Sequence, residues 1–99
     1  MRLTETQTEA IRRIVRQEAG ANAQIRVFGS RARDDTKGGD LDLLVTIPQQ
    51  VAAPAMLSAK LSARVSRMMH GRRVDVVLDA PNLKRLPIHA VAEREGIPL

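Results

Sequence analysis

The sequence predicts a small α/β (α+β) domain with the element order α-β-α(short)-β-α-β-α, and three observations carry that prediction. Three short apolar runs have strand character: Gln24–Phe28 (QIRVF), residues 41–47 (LDLLVTI) and residues 73–78 (RVDVVL). Longer segments around them repeat apolar residues at the helical period. The 99 residues suffice for one core and not for two, so residues 1–99 read as a single domain.

Each element has its own signals. Residues 3–19 read as an amphipathic helix, with Thr4 and Gln7 spaced as a capping box. Ile11, Ile14 and Val15 form its apolar stripe, Arg12, Arg13 and Arg16 lie off that stripe, and Gly20 is a stop signal. The first strand ends at the Gly29-Ser30 turn, where Ser30 is a favoured N-cap for a brief helical turn over 31–35. A polar loop over 34–39, with turn-forming Gly38-Gly39, leads into the second strand, which Pro48 ends. Residues 53–69 read as a helix with Pro54 in its first turn and Leu57, Leu61, Val65 and Met68 facing the sheet. Its methionines read as core filler. Gly71 closes the helix, and the third strand places Asp75 among valines. Asp79 reads as a turn residue before Ala80-Pro81, and residues 82–85 as a connection. The last helix, Pro87–Glu95, is expected to turn Ile88, Val91 and Ala92 inward, with Gly96 ending it and Ile97 and Leu99 packing locally. His70 and His89 share no metal-ligand spacing and read as surface or helix-end histidines.

Composition narrows the function classes. The apolar content of 43% is that of a folded soluble protein. Phe28 is the single aromatic residue, so a base-stacking platform has nothing to be built from and no direct nucleic-acid binding is expected. The absence of cysteine excludes disulfides and thiolate–metal sites. No apolar run reaches membrane-spanning length and the N-terminus lacks a signal-peptide core, so a cytoplasmic location with no membrane contact is expected. The net charge of +5 suits a polyanionic ligand such as a nucleotide, or an acidic partner protein, and equally suits general solubility.

The chemistry concentrates in residues 27–45, VFGSRARDDTKGGDLDLLV. Asp40 and Asp42 are two residues apart, so on a strand their side chains project from one face. Two carboxylates held together repel, and a divalent cation such as Mg²⁺ is the simplest partner, since it is commonly bound by one or two carboxylates plus substrate phosphates. Gly29 permits close approach of a ligand, and Ser30 with the N–H groups of its turn forms a small anion cradle. Asp75 reads either as an edge-strand carboxylate turned to solvent or, given the upstream pair, as a third metal ligand, and the second reading is adopted. Three carboxylates around one or two metal ions, a pair of which would sit about 3.5–4 Å apart, suit phosphoryl or nucleotidyl transfer. In that chemistry Asp75 would bind the acceptor-side metal or act as base. The same acids would serve a nuclease; the Gly-Ser cradle tips the choice toward a triphosphate substrate. Arg31, Arg33 and Arg73 are candidates for phosphate contact, and each reads equally well as solvated surface.

Gly29-Ser30 in GSRAR, Asp40-Leu41-Asp42 in GGDLDLLV and Asp75 in VDVV, at these separations, resemble the polymerase-β-type nucleotidyltransferase superfamily in its minimal (MNT) branch. The resemblance runs from Ile25 to the closing residues 95–99. It implies a mixed three-stranded sheet with flanking helices, Mg²⁺ and ATP as ligands, and Asp40, Asp42 and Asp75 as the catalytic triad. It also implies a partner, a small helical HEPN-domain protein, in a toxin–antitoxin pair whose MNT member adds AMP to a tyrosine of the toxin. One residue departs from the pattern: Gly39 stands where many members carry serine, which removes a hydroxyl that could touch phosphate. Three functions are therefore in play. The first is a Mg²⁺-dependent adenylyltransferase that modifies a partner protein. The second is an antitoxin that acts by stoichiometric binding, and the third is a transferase for a small molecule such as an antibiotic hydroxyl. The last is disfavoured because 99 residues leave no added domain to form its pocket.

Overall fold

In the computed structural model, which describes residues 3–28 and 41–99, the first helix forms where its local signals place it. Helix α1 (Glu5–Ala19) is capped reciprocally: the Gln7 N–H donates to Thr4 Oγ1 at 3.0 Å and the Thr4 N–H donates to Gln7 Oε1 at 2.9 Å. Two donors that an N-terminus would otherwise leave open are thus satisfied. Ala10, Ile11, Ile14 and Val15 form its buried stripe. Helix α2 (Pro54–Met68) opens on proline and buries Leu61 and Val65. It is closed by His70 and Gly71 at positive φ, 62° and 83°, with the Gly71 N–H donating to Ser66 O at 2.8 Å. Helix α3 (Pro87–Glu95) follows after the third strand. No helix among the described residues is long and apolar enough to cross a membrane.

The strands β1 (Gln24–Phe28), β2 (Leu41–Thr46), β3 (Val74–Asp79) and β4 (Ile97–Pro98) form one mixed sheet in the order β3-β2-β1-β4. β1 and β2 are antiparallel, with Phe28 opposite Asp42. β2 and β3 are parallel, as a crossover through α2 requires, with Asp42 opposite Asp75. The sheet has four strands where three were expected. Ile97 and Val27 are partners, as are Pro98 and Arg26, and the Leu99 N–H donates to Ile25 O at 3.0 Å. A two-residue edge strand containing proline carries no periodicity to read, and only its neighbour makes it a strand. Asp79 also differs from expectation: it ends β3 opposite Thr46, and its carbonyl accepts the Ile47 N–H at 2.8 Å, so it belongs to the ladder rather than to a turn.

Strand alternation divides the side chains between two faces. Ile25, Val27, Leu41, Leu43, Val45, Val74 and Leu78 join the stripes of α1 and α2 in the main core. The two helices are tied to each other by Glu18, 2.8 Å from Arg64 and 3.7 Å from Lys60. Phe28, Leu44 and Ala92 form a second, smaller core beneath α3, with Val77 packed against it. Ile88, expected on the inner side of α3, is 39% exposed, and Val91 is half-buried. The buried residues of α3 are His89 and Ala92. Ala92 faces inward as expected, and His89 takes the other buried place through its hydrogen bonds, which an apolar count does not register.

Those bonds belong to a pattern along the sheet edge. The carbonyls of Val74, Val76 and Leu78 accept, respectively, from Ser62 Oγ, from Ser58 Oγ at 3.0 Å and from His89 Nε2 at 2.8 Å. Exposed edge groups invite pairing with another chain. Here α2 and α3 occupy three edge acceptors of β3 from the two faces of the sheet.

Candidate active site

The second residues of β2 and β3 bring the two described acids together. Asp42 and Asp75 are partners in the parallel ladder, on strands about 4.8 Å apart. Their parity is that of Leu44 and Val77, which places both on the α3 side of the sheet, away from the main core. Asp42 is half-buried and the Asp75 side chain is 47% exposed, so water and ligands reach the pair. Buried Phe28, opposite Asp42 on β1, supplies an apolar flank. The sequence placed Asp75 at an edge strand or in a metal site as alternatives. β3 is an edge strand, and its aspartate stands beside Asp42.

Adjacent like charges in neighbouring strands destabilise the ladder. An arrangement that holds two carboxylates side by side therefore keeps a local cost that a bound cation would relieve. Arg73 Nε lies 3.6 Å from Asp75 Oδ1. This pair is exposed and contributes at most about 1 kcal/mol. It nevertheless puts a guanidinium at the margin of the acidic pair, where Arg73 was a candidate phosphate contact. The donor set consists of hard carboxylate oxygens with no histidine or cysteine among them, which fits Mg²⁺ rather than a softer ion. Among the described residues no group of three or more His, Cys, Asp or Glu is placed to hold a metal. Asp40, Gly29, Ser30, Arg31, Arg33 and Gly39 lie outside the described residues, as does the short helical turn expected over 31–35.

Two features of this face were not foreseen. His89, read as a surface or helix-end histidine, does stand in the first turn of α3 but is 3% exposed. A carbonyl can only accept, so Nε2 carries the proton donated to Leu78 O at 2.8 Å, and Nδ1 accepts the Leu86 N–H at 2.9 Å. The imidazole thus caps α3 and pins it to β3, next to the strand that carries Asp75. The signal available in the sequence was its position three residues after Leu86 at a helix start. The second feature is Asp79, which shares the face of Asp75 but stands four residues along the strand, roughly 13 Å away. Arg85 holds it at 3.4 Å and also pairs with Glu93. Asp79 therefore anchors the connection to α3 and does not join the acidic pair.

A family model described as a nucleotidyltransferase domain matches residues 8–96. No curated protein sequence matches the chain significantly.

Proposed function

The chain belongs to the nucleotidyltransferase domain family and has its activity class, nucleotidyl transfer, and from that premise we propose that it transfers AMP from ATP to a tyrosine of a partner HEPN-domain toxin, as that toxin's antitoxin in the cytoplasm. The observation that carries the reading is the in-register pairing of Asp42 with Asp75 on an accessible face. The proposed triad is Asp40, Asp42 and Asp75, with Gly29, Ser30, Arg31 and Arg33 toward the nucleotide phosphates. These 99 residues contain no tyrosine, which is compatible with an acceptor tyrosine on a partner.

Asp42 and Asp75 would hold Mg²⁺, which when bound neutralises charge on the α-phosphate and the leaving pyrophosphate. The acceptor oxygen attacks the α-phosphorus, a new O–P bond forms, and the bond to the β-phosphate bridging oxygen breaks with release of pyrophosphate. A carboxylate oxygen of Asp75 takes the proton of the acceptor hydroxyl. Arg73, 3.6 Å from Asp75, stands where it would draw an anionic ligand toward the pair.

The test is the intact mass of the HEPN-domain protein after incubation with this chain, ATP and Mg²⁺, beside a control carrying Asp40→Ala and Asp42→Ala. A gain of one or more AMP units that the control lacks is the expected result. A stable complex with no gain would remove the transferase reading for this acceptor and leave neutralisation by binding.

A further inference from the structure

The positive charge of this chain is not gathered only around the acidic pair. Helices α1 and α2 cover the sheet face opposite Asp42 and Asp75, and their outer surface carries a run of arginines. A shallow groove of about 300 Å³ between the helices is lined by Arg13, Ile14, Arg64, Arg67 and Met68. Arg13 also lines a second hollow of about 350 Å³ with Glu9, Arg12, Arg16 and Gln17. The acids nearest them are already engaged: Glu9 pairs with Arg12 at 3.5 Å and Glu18 with Arg64 at 2.8 Å. Arg13, Arg16 and Arg67 are exposed and have no hydrogen-bond or ion-pair partner among the described residues.

Arg13 lies one helical turn from Arg16 and shares the groove with Arg67, so these unpaired guanidiniums repel one another. They lie on the far layer from the acidic pair, so they do not serve a nucleotide bound there. We propose that this arginine-rimmed groove docks an acidic amphipathic helix of a partner protein. Half-buried Met68 would meet the apolar stripe of that helix, and Arg13, Arg16 and Arg67 its flanking carboxylates. Charge complementarity gives the sign of the partner, because guanidinium forks match carboxylates bidentately. The groove between two helices, with half-buried Met68 on its lining, gives its shape, since a helix laid in a groove is held by an apolar anchor flanked by polar contacts. A nucleic acid would also answer the charge, but the surface offers no aromatic residue for base stacking: Phe28, the only one in the chain, is buried on the opposite face of the sheet.

The inference does not depend on nucleotidyl transfer and is tested without nucleotide. The probe is a fluorescein-labelled helical peptide of about 18 residues, roughly five turns, with a leucine stripe flanked by glutamates. A scrambled peptide of the same composition and a single-stranded RNA of equal charge serve as comparisons, with binding read by anisotropy. The amphipathic helix is expected to bind best, the scrambled peptide about tenfold more weakly, and the RNA more weakly still. Arg13→Glu/Arg16→Glu/Arg67→Glu should weaken binding of the helix by about tenfold or more, whereas Arg94→Glu on α3 should change it less than about twofold. Circular dichroism establishes that the variants are folded, and Arg13→Glu alone replaces the triple variant if that one is not. The proposal is overturned if the helix does not bind, if scrambling or charge reversal leaves its affinity unchanged, or if the RNA binds as tightly as the helix.

Discussion

Truncating His89 is the most informative perturbation of the scaffold beneath the acidic pair. The imidazole is 3% exposed and makes two hydrogen bonds, to Leu78 O at 2.8 Å and from the Leu86 N–H at 2.9 Å. His89→Ala removes both, at a net of about 1 kcal/mol each. Leu86 is exposed, so its N–H regains water, whereas the Leu78 carbonyl belongs to a residue only 8% exposed and is left without its donor. With that penalty and the vacated volume, the total is about 3 kcal/mol. For a domain of this size the melting temperature should fall by roughly 12–24 °C. His89→Gln is the discriminating companion. Its amide N–H can reach toward the Leu78 carbonyl while the cap at Leu86 is lost, so it should recover about half of the deficit. Urea unfolding and thermal melts of the three proteins give the answer. A loss below about 1 kcal/mol for His89→Ala, or a glutamine variant no better than alanine, would refute the claim that this histidine pins α3 to β3 through its ring nitrogens.

The other predictions concern the edge, the last turn and the acids. Ser58→Ala and Ser62→Ala each withdraw a donor from an edge carbonyl of β3, and each should cost about 1 kcal/mol by chemical denaturation. The double variant should also self-associate more readily in sedimentation, because the edge it uncovers can pair with another chain. At Gly96 an added Cβ would run into the Ala92 carbonyl oxygen and lie 3.1 Å from Arg26 Cβ. Gly96→Ala should therefore cost about 1–3 kcal/mol in a thermal melt, and hydrogen exchange should show weakened pairing of β4 with β1. Asp42→Asn and Asp75→Asn should each lower nucleotidyl transfer by about a hundredfold or more in a pyrophosphate-release assay, the loss that follows from the metal-binding role proposed for them. The unfolding free energy of Asp75→Asn should stay within about 1 kcal/mol of wild type, since neighbouring like charges are separated at the expense of one exposed ion pair.

Local signals were legible wherever local physics decides. The Thr4–Gln7 capping box formed as spaced, because both of its bonds close within one turn. The stripe of Ile11, Ile14 and Val15 was buried, as were Leu61 and Val65, because the helical period alone sets which side chains share a face. The three main strands lie where apolar, β-branched runs placed them. At α3 the reading held for Ala92 and missed Ile88 and His89 for a physical reason: a nine-residue helix has room for one narrow stripe, and the hydrogen bonds that bury His89 are invisible to any apolar count.

The sequence by itself determined that this chain alternates helix and strand, carries acids in its second and third strands, and is basic overall, since each of these is a matter of residue identity and short-range spacing. Only the tertiary structure decided that Asp42 faces Asp75, because the register of two parallel strands is set by the crossover helix and core between them rather than by either strand. The same holds for β4, which is a strand solely through its bonds to β1, and for the arginines of α1 and α2, which two separate helices bring to one groove on the face away from the acids. Long-range placement of this kind depends on which surfaces are buried together, and no single segment encodes it.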